Sequence, residues 1–172
     1  MQICAGFIKD NENHIENIKT NKDLALLELL DELDVRQHKV IIWCTFRHSI
    51  VKLSKMLRSL NPLTLTGDTK DVNSIVKQFQ KDKNRNVLLA IQKKGSASIT
   101  LTNCNYAIYY SNMWSYDERY NSEARIYRKG SEKHKHIIYT DLVVKNSIEE
   151  KILECLRKKK SLVEILKQQF IT

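Results

Sequence analysis

Two arginines three residues apart, Arg125 and Arg128, are the side chains of this sequence best suited to chemistry on an anion. Neither guanidinium can lose its charge near neutral pH, and each offers a planar fork that grips two oxygens at once. A spacing of three puts both on one face of a helix, and two forks on one face suit a phosphate. The same spacing also fits surface arginines neutralised by neighbouring acids. A second candidate is Gln92-Lys93-Lys94-Gly95-Ser96-Ala97-Ser98, small residues after a strand-like run. Exposed N–H groups at such a place can approach a phosphate closely, although an ordinary turn has the same composition. The third is Leu65-Thr66-Gly67-Asp68-Thr69-Lys70, a turn offering hydroxyls and a backbone N–H. Cys4, Cys44, Cys104 and Cys155 lie far apart with no C-x-x-C pair, so they read as reduced thiols rather than a zinc site or disulfide framework. His134 and His136 flank Lys135 with only Glu132 nearby and read as a solvated turn, so no metal site is expected.

Those segments need elements to position them, and the apolar pattern supplies these. Residues 1–10 are strand-like, and 10–21 are polar and read as loop or linker. From Lys22 the pattern is helical: Leu24, Leu27, Leu30 and Leu33 recur at three, with Leu26 and Leu29 widening the stripe, and Thr20 with Asp23 imitates a capping box. Residues 39–44 form a continuous β-branched run of the kind found in buried parallel strands. A helix over 49–60 follows, ended by Pro62; then a strand over 63–66, a helix over 71–81, and strands over 86–91 and 106–110. A helix over 116–128 carries both arginines. A strand over 136–144 and a long helix from about Ser147 complete the chain. Strands alternating with helices call for an α/β fold: an open, mainly parallel sheet with helices on both faces and functional loops at the carboxyl ends of the strands.

Composition narrows the partners. In 172 residues there are 29 Lys and Arg against 20 Asp and Glu, a net charge of +9, with 42% hydrophobic residues. That hydrophobic share argues against a disordered chain. Only 4 Gly and 1 Pro argue against an all-β chain of many tight turns. No apolar run is long enough to span a membrane, and the first ten residues lack a signal-peptide pattern, so an intracellular, cytoplasmic protein is expected. Basic residues spread over several loops suit a polyanion track. The block Arg157-Lys158-Lys159-Lys160, taken alone, reads as a solvated helix face.

In order and spacing, these segments resemble the second RecA-like lobe of superfamily-two helicases and translocases, nearest to the SWI/SNF-type branch and its phage and bacterial members. The resemblance covers almost the whole chain: Gln2-Ile3-Cys4-Ala5-Gly6-Phe7, the run 40–47, Leu65-Thr66-Gly67-Asp68-Thr69-Lys70, residues 87–108, and most specifically Tyr110-Ser111-Asn112-Met113-Trp114 through Arg125-Ile126-Tyr127-Arg128-Lys129-Gly130. It implies that 1–20 is a lead-in and linker from a preceding lobe and 21–172 the helicase C-terminal domain. The family motif Gln-x-x-x-Arg-x-x-Arg-x-Gly-Gln matches Asn121, Arg125, Arg128, Gly130 and Ser131. By resemblance, Arg128 is an arginine finger toward the γ-phosphate of ATP and Arg125 a second phosphate or coupling contact. Asn121, Gly95, Ser96 and Gly130 border the nucleotide, and Thr45, Arg47, Gly67, Thr69, Lys70 and Thr102 face nucleic acid.

The sequence also departs from that family. Ser96 and Ser98 replace glycines, and Asn121 and Ser131 replace glutamines. No G-x-x-x-x-G-K-[ST] phosphate loop occurs, and the acidic string Asp31-Glu32-Leu33-Asp34 lies on a leucine-rich helical stripe. The resemblance therefore implies an ATP site shared with an N-terminal RecA-like lobe, on the same or another chain, which holds Mg²⁺. The expected function is the C-terminal motor lobe of an ATP-dependent DNA helicase or translocase, inactive by itself. The alternative is a non-catalytic nucleic-acid-binding or regulatory protein of the same fold.

Overall fold

The structure is a computed structural model and describes residues 1–12, 14–95 and 99–169. The chain opens with a 3-10 turn, Ile3–Ala5, and a two-stranded antiparallel ribbon, β1 (Phe7–Lys9) and β2 (Ile15–Asn17). Gly6 ends the turn at φ 81°, where a Cβ would lie 3.0 Å from the Ile18 carbonyl oxygen. Only glycine fits there without strain. The segment expected as loop thus contains β2. All three β2 residues are exposed, so it owes its form to pairing with β1 rather than to burial.

After α1 (Asn21–Glu32) come β3 (Val40–Cys44), α2 (Arg47–Met56), β4 (Leu63–Leu65), α3 (Val72–Lys81), β5 (Val87–Ile91) and the short α4 (Gln92–Gly95). Then follow β6 (Tyr106–Tyr109), α5 (Tyr116–Glu123), β7 (Ile138–Asp141) and α6 (Ile148–Gln169). The main sheet is wholly parallel in the order β4-β5-β3-β6-β7. Every residue of β3 is buried, because both of its neighbours are strands and both of its faces are covered.

Alternation along β3 splits the core. Val40, Ile42 and Cys44 point to one face, against Leu26 and Leu30 of α1 and Ile50, Leu53 and Leu57. Ile41 and Trp43 point to the other, against Phe79 of α3, Ile99, Leu101 and Ile126. The leucine stripe of α1 differs from expectation. Leu24 and Leu27 are exposed, and the buried line is Leu26–Leu30, spaced by four as one face of a helix requires. Thr20 sits at the N-cap without a side-chain cap bond, and Asp23 instead accepts from the Tyr110 hydroxyl (2.8 Å) and Lys52 (2.9 Å). At the same end, Lys22 Nζ forms a buried pair with Glu149 (2.6 Å) and donates to the Tyr110 carbonyl (2.8 Å). That pair fixes the start of α6 to the start of α1. Burial lowers the Lys22 pKa, and Glu149 opposes the shift.

The largest correction concerns the helix expected to carry both arginines. It ends at Glu123, and residues 124–128 continue as turns. A continued helix would need the Arg125 carbonyl for the N–H of residue 129. Leu101 N–H takes that carbonyl instead (2.9 Å), and Ile126 is pulled fully into the core.

Candidate functional site

Arg125 and Arg128 therefore project from a turn that is fastened to the stretch after β5. Three contacts fasten it: the Leu101 N–H to the Arg125 carbonyl, Arg128 Nη1 to Thr100 Oγ1 (3.3 Å), and Gly130 backed onto Thr102. Gly130 has φ 102°, and a Cβ there would lie 3.4 Å from Thr102 Oγ1. Its N–H donates to Glu132 (2.6 Å), and Ser131 N–H closes the turn on the Arg128 carbonyl (2.9 Å). Arg128 is exposed and Arg125 half-buried. Burial, and then the charge of Arg128, lower the Arg125 pKa. Two cations are held close enough to repel, an arrangement that an anion between them would relieve.

Asn121 is exposed on the last turn of α5, one helical turn before Arg125. Gly95 closes α4, so residues 92–95 form a helical turn rather than an open loop, and Ser96 lies outside the described residues together with Ser98. Gln92, at the head of that turn, is fully buried, and both polar atoms of its amide lack a hydrogen-bond partner among the described residues.

A second group gathers at the carboxyl edge of the sheet. Thr45 follows β3, and its N–H donates to Ser111 Oγ at the end of β6 (2.9 Å). Arg47 opens α2 and pairs with Asp68 in the loop after β4. In that loop Thr69 Oγ1 accepts from Thr66 N–H (2.9 Å), which fixes a tight turn with Gly67 and Lys70 exposed. The structure thus brings Thr45, Arg47, Gly67, Thr69 and Lys70 to one edge. Thr102 stands apart from them, under Gly130, with its carbonyl bonded to His134 Nε2 (2.9 Å).

Two contributors escaped the sequence reading. Thr100 meets Arg128, and its signal was its position in the Ile99-Thr100-Leu101-Thr102 run. Arg119 is buried on α5, with Nη1 on Asp141 (2.5 Å) and Asn112 (3.0 Å), Nε on Glu123 (2.6 Å), and its guanidinium 3.4 Å from the centre of the Tyr109 ring. No local pattern announces a pair 22 residues apart. Among the described residues no three His, Cys, Asp or Glu converge as a metal site, and no helix is long and apolar enough to cross a membrane.

A five-stranded parallel sheet, helices on both faces and an arginine turn fastened behind β5 define a RecA-like helicase lobe. The chain belongs to the helicase conserved C-terminal domain family, whose model matches residues 21–130. Its relatives are SWI/SNF-like ATP-dependent helicases. It is 30% identical over 170 residues to the ATP-dependent helicase FUN30 of Saccharomyces cerevisiae, covering 94% of this chain and 15% of that protein. It is 29% identical over 168 residues to the uncharacterized ATP-dependent helicase MG018 of Mycoplasma genitalium, covering 94% of this chain and 16% of that one. The crystal structure of the C-terminal part of the Fun30 ATPase domain superposes with a TM-score of 0.73 at 28% identity, over 80% of this chain and 46% of that chain. The chain spans 15–20% of the length of the first curated relatives it matches.

Proposed function

We propose that this chain is the C-terminal motor lobe of an ATP-dependent DNA translocase or helicase, with residues 1–20 leading in from a preceding lobe and the motor domain from residue 21. The observation that carries the reading is the fastening of Arg125 and Arg128 to the stretch after β5. It gives one rigid link between two cations and a segment that runs from the sheet's carboxyl edge.

The site fits the phosphate end of a nucleotide. Arg128 is exposed and bonds the neutral Thr100 hydroxyl, and burial and the charge of Arg128 disfavour the Arg125 cation, so a bound anion would stabilise both charges. ATP, bound with Mg²⁺ on the other lobe, supplies the phosphoryl group. Arg128 meets charge that develops on the departing phosphoryl oxygens, a role worth about 10³–10⁵ in turnover. Arg125, with its carbonyl tied to Leu101, transmits a shift of the turn to the post-β5 stretch. Asn121 and Gly130 border the same space. Thr45, Arg47, Gly67, Thr69 and Lys70 hold strand phosphates at the carboxyl edge, and Thr102 steadies the turn from beneath Gly130. The test is DNA-stimulated ATPase of the complete two-lobed protein. Arg128→Ala is expected to abolish turnover with nucleotide affinity within a few-fold, and wild-type turnover in that variant would favour a non-catalytic binding protein.

A further inference from the structure

Two hollows lie away from the carboxyl edge. One, of about 850 Å³, runs beside the arginine turn between the end of α5, the loop before β7 and Lys160 of α6. The other, of about 440 Å³, opens at the amino edge of the sheet, where Lys39, Asn105 and Ile138 mark the starts of β3, β6 and β7. His134, Lys135 and His136 line both, so the two hollows border one shared segment and together make up a basic trough. Each is within the range of natural ligand clefts, about 300–1,000 Å³.

The charge of this trough is unbalanced. Lys129, Lys133 and Lys135 line it and form no ion pair among the described residues, and Lys160 reaches it from α6. The two carboxylates at the first hollow are already engaged: Glu123 pairs with Arg119, and Glu132 caps the Gly130 N–H. The terminal basic block therefore divides. Lys158 pairs with Glu154 one turn back on the exposed face, whereas Lys160 turns to the trough. Tyr127, which also lines the first hollow, is 74% exposed, and His136, exposed as well, lines the same hollow.

We propose that this trough binds single-stranded nucleic acid, as a second contact surface beyond the carboxyl-edge track of the motor reading. Unpaired lysines match backbone phosphates, and exposed rings among them match bare base faces, which duplex hides and an acidic peptide lacks. The path runs from the arginine turn around the amino edge, so a strand held there lies on the opposite edge from Arg47 and Lys70.

The test is fluorescence anisotropy of a labelled oligo-dT with the full chain, without nucleotide, over a salt series. Lys133→Gln, Lys135→Gln and Lys160→Gln together keep the stems of three exposed side chains and remove the charges. They are expected to lower the salt slope by about 2, at roughly 0.7 per phosphate contact on a single strand. Tyr127→Ala is expected to weaken binding about tenfold at fixed salt. Both losses should persist when Arg47→Ala and Lys70→Ala are also present, and an iododeoxyuridine oligonucleotide should photocrosslink to Tyr127 or His136. An unchanged slope with an unchanged melting temperature overturns the proposal. So does polyglutamate binding as tight as oligo-dT and equally sensitive to the same variants, or displacement of the oligonucleotide by ATP and Mg²⁺. None of these readouts depends on turnover, so failure here and failure of the motor-lobe reading are separately visible.

Discussion

Arg119 and Arg128 lie nine residues apart in one chain segment and hold the same charge in opposite settings. Arg119 is buried, its fork divided among Asp141, Asn112 and Glu123, its plane against Tyr109. Burial penalises that cation, yet Tyr109, Asp141 and Glu123 outweigh the penalty and hold its pKa above the usual guanidinium value. Arg128 is exposed, and among the described residues its guanidinium makes one long bond, to Thr100. A cation with every donor engaged serves the fold. A cation held in place by its backbone while its fork stays exposed is open to a ligand. The turn around Arg128 is fixed by main-chain bonds and by buried Ile126, so the guanidinium is aimed without being consumed.

The contrast is broken most sharply by deletion at Arg128. In the two-lobed protein, Arg128→Ala should reduce kcat by about 10³-fold or more while the melting temperature stays at the wild-type value. Arg128→Lys should recover little, because an ammonium keeps the charge and loses the planar fork. Arg125→Ala should impair turnover less. A fall in stability with kcat intact would make Arg128 a second Arg119.

The converse change should act on folding. Removing one partner of a buried ion pair costs about 3–5 kcal/mol, since the other is left charged and unmatched. Arg119→Ala is therefore expected to shift the urea midpoint strongly. Arg119→Met with Asp141→Asn should recover part of the loss, because one of the two stranded carboxylates is then neutral and only Glu123 remains unmatched. Equal stability in Arg119→Ala would mean that the network at the β6 and β7 ends carries no load.

What the sequence disclosed follows the range of the forces involved. The strands of the main sheet were legible because β3, β5 and β6 are continuous apolar runs, and a strand buried on both faces needs nothing else. The helix expected over 71–81 starts within one residue of that reading, and the structure gives a local reason, Asp71 accepting from Ser74 N–H at the N-cap (2.9 Å). The end of α5 was not, since it depends on Leu101, 24 residues upstream, capturing the Arg125 carbonyl. The strand β2 was hidden because it is three exposed residues within a polar stretch and only β1 makes it a strand. The arginine pair could be singled out as a candidate phosphate site from residue type and motif order, while the reason the two are aimed differently from Arg119 lies in contacts between distant segments.

Buried and half-buried thiols repeat the contrast more gently. Burial pushes Cys44 and Cys104 up to about 12 from 9.0. A raised folded-state pKa gives stability that is complete below pH 9 and lost as pH rises toward 12, because the unfolded thiols ionise first. Each should contribute a slope of about 1.4 kcal/mol per pH unit in that window. Cys44→Ala should reduce the alkaline slope of the unfolding free energy. A thiol reagent at pH 8 should modify Cys4 and Cys155 before the buried pair.

The smallest change tests the backbone that aims Arg128. Gly130 has φ 102°, a conformation that costs an L side chain about 1–2 kcal/mol whatever space surrounds it. The space itself is tolerable, since a Cβ would rest 3.4 Å from Thr102 Oγ1. Gly130→Ala should therefore lower stability by about 1 kcal/mol, or roughly 2–4 °C in Tm. Relief of that strain requires rotation about the bond that also sets the Ser131 N–H on the Arg128 carbonyl. Turnover in the two-lobed protein should accordingly fall further than stability does, with nucleotide affinity little changed. Thr102→Ser in the Gly130→Ala background removes only the methyl contact and should restore neither, because the strain is torsional. Turnover at the wild-type level in Gly130→Ala, with the expected loss of Tm, would show that Arg128 finds its phosphate without a fixed turn, and the distinction from Arg119 would then rest on exposure alone.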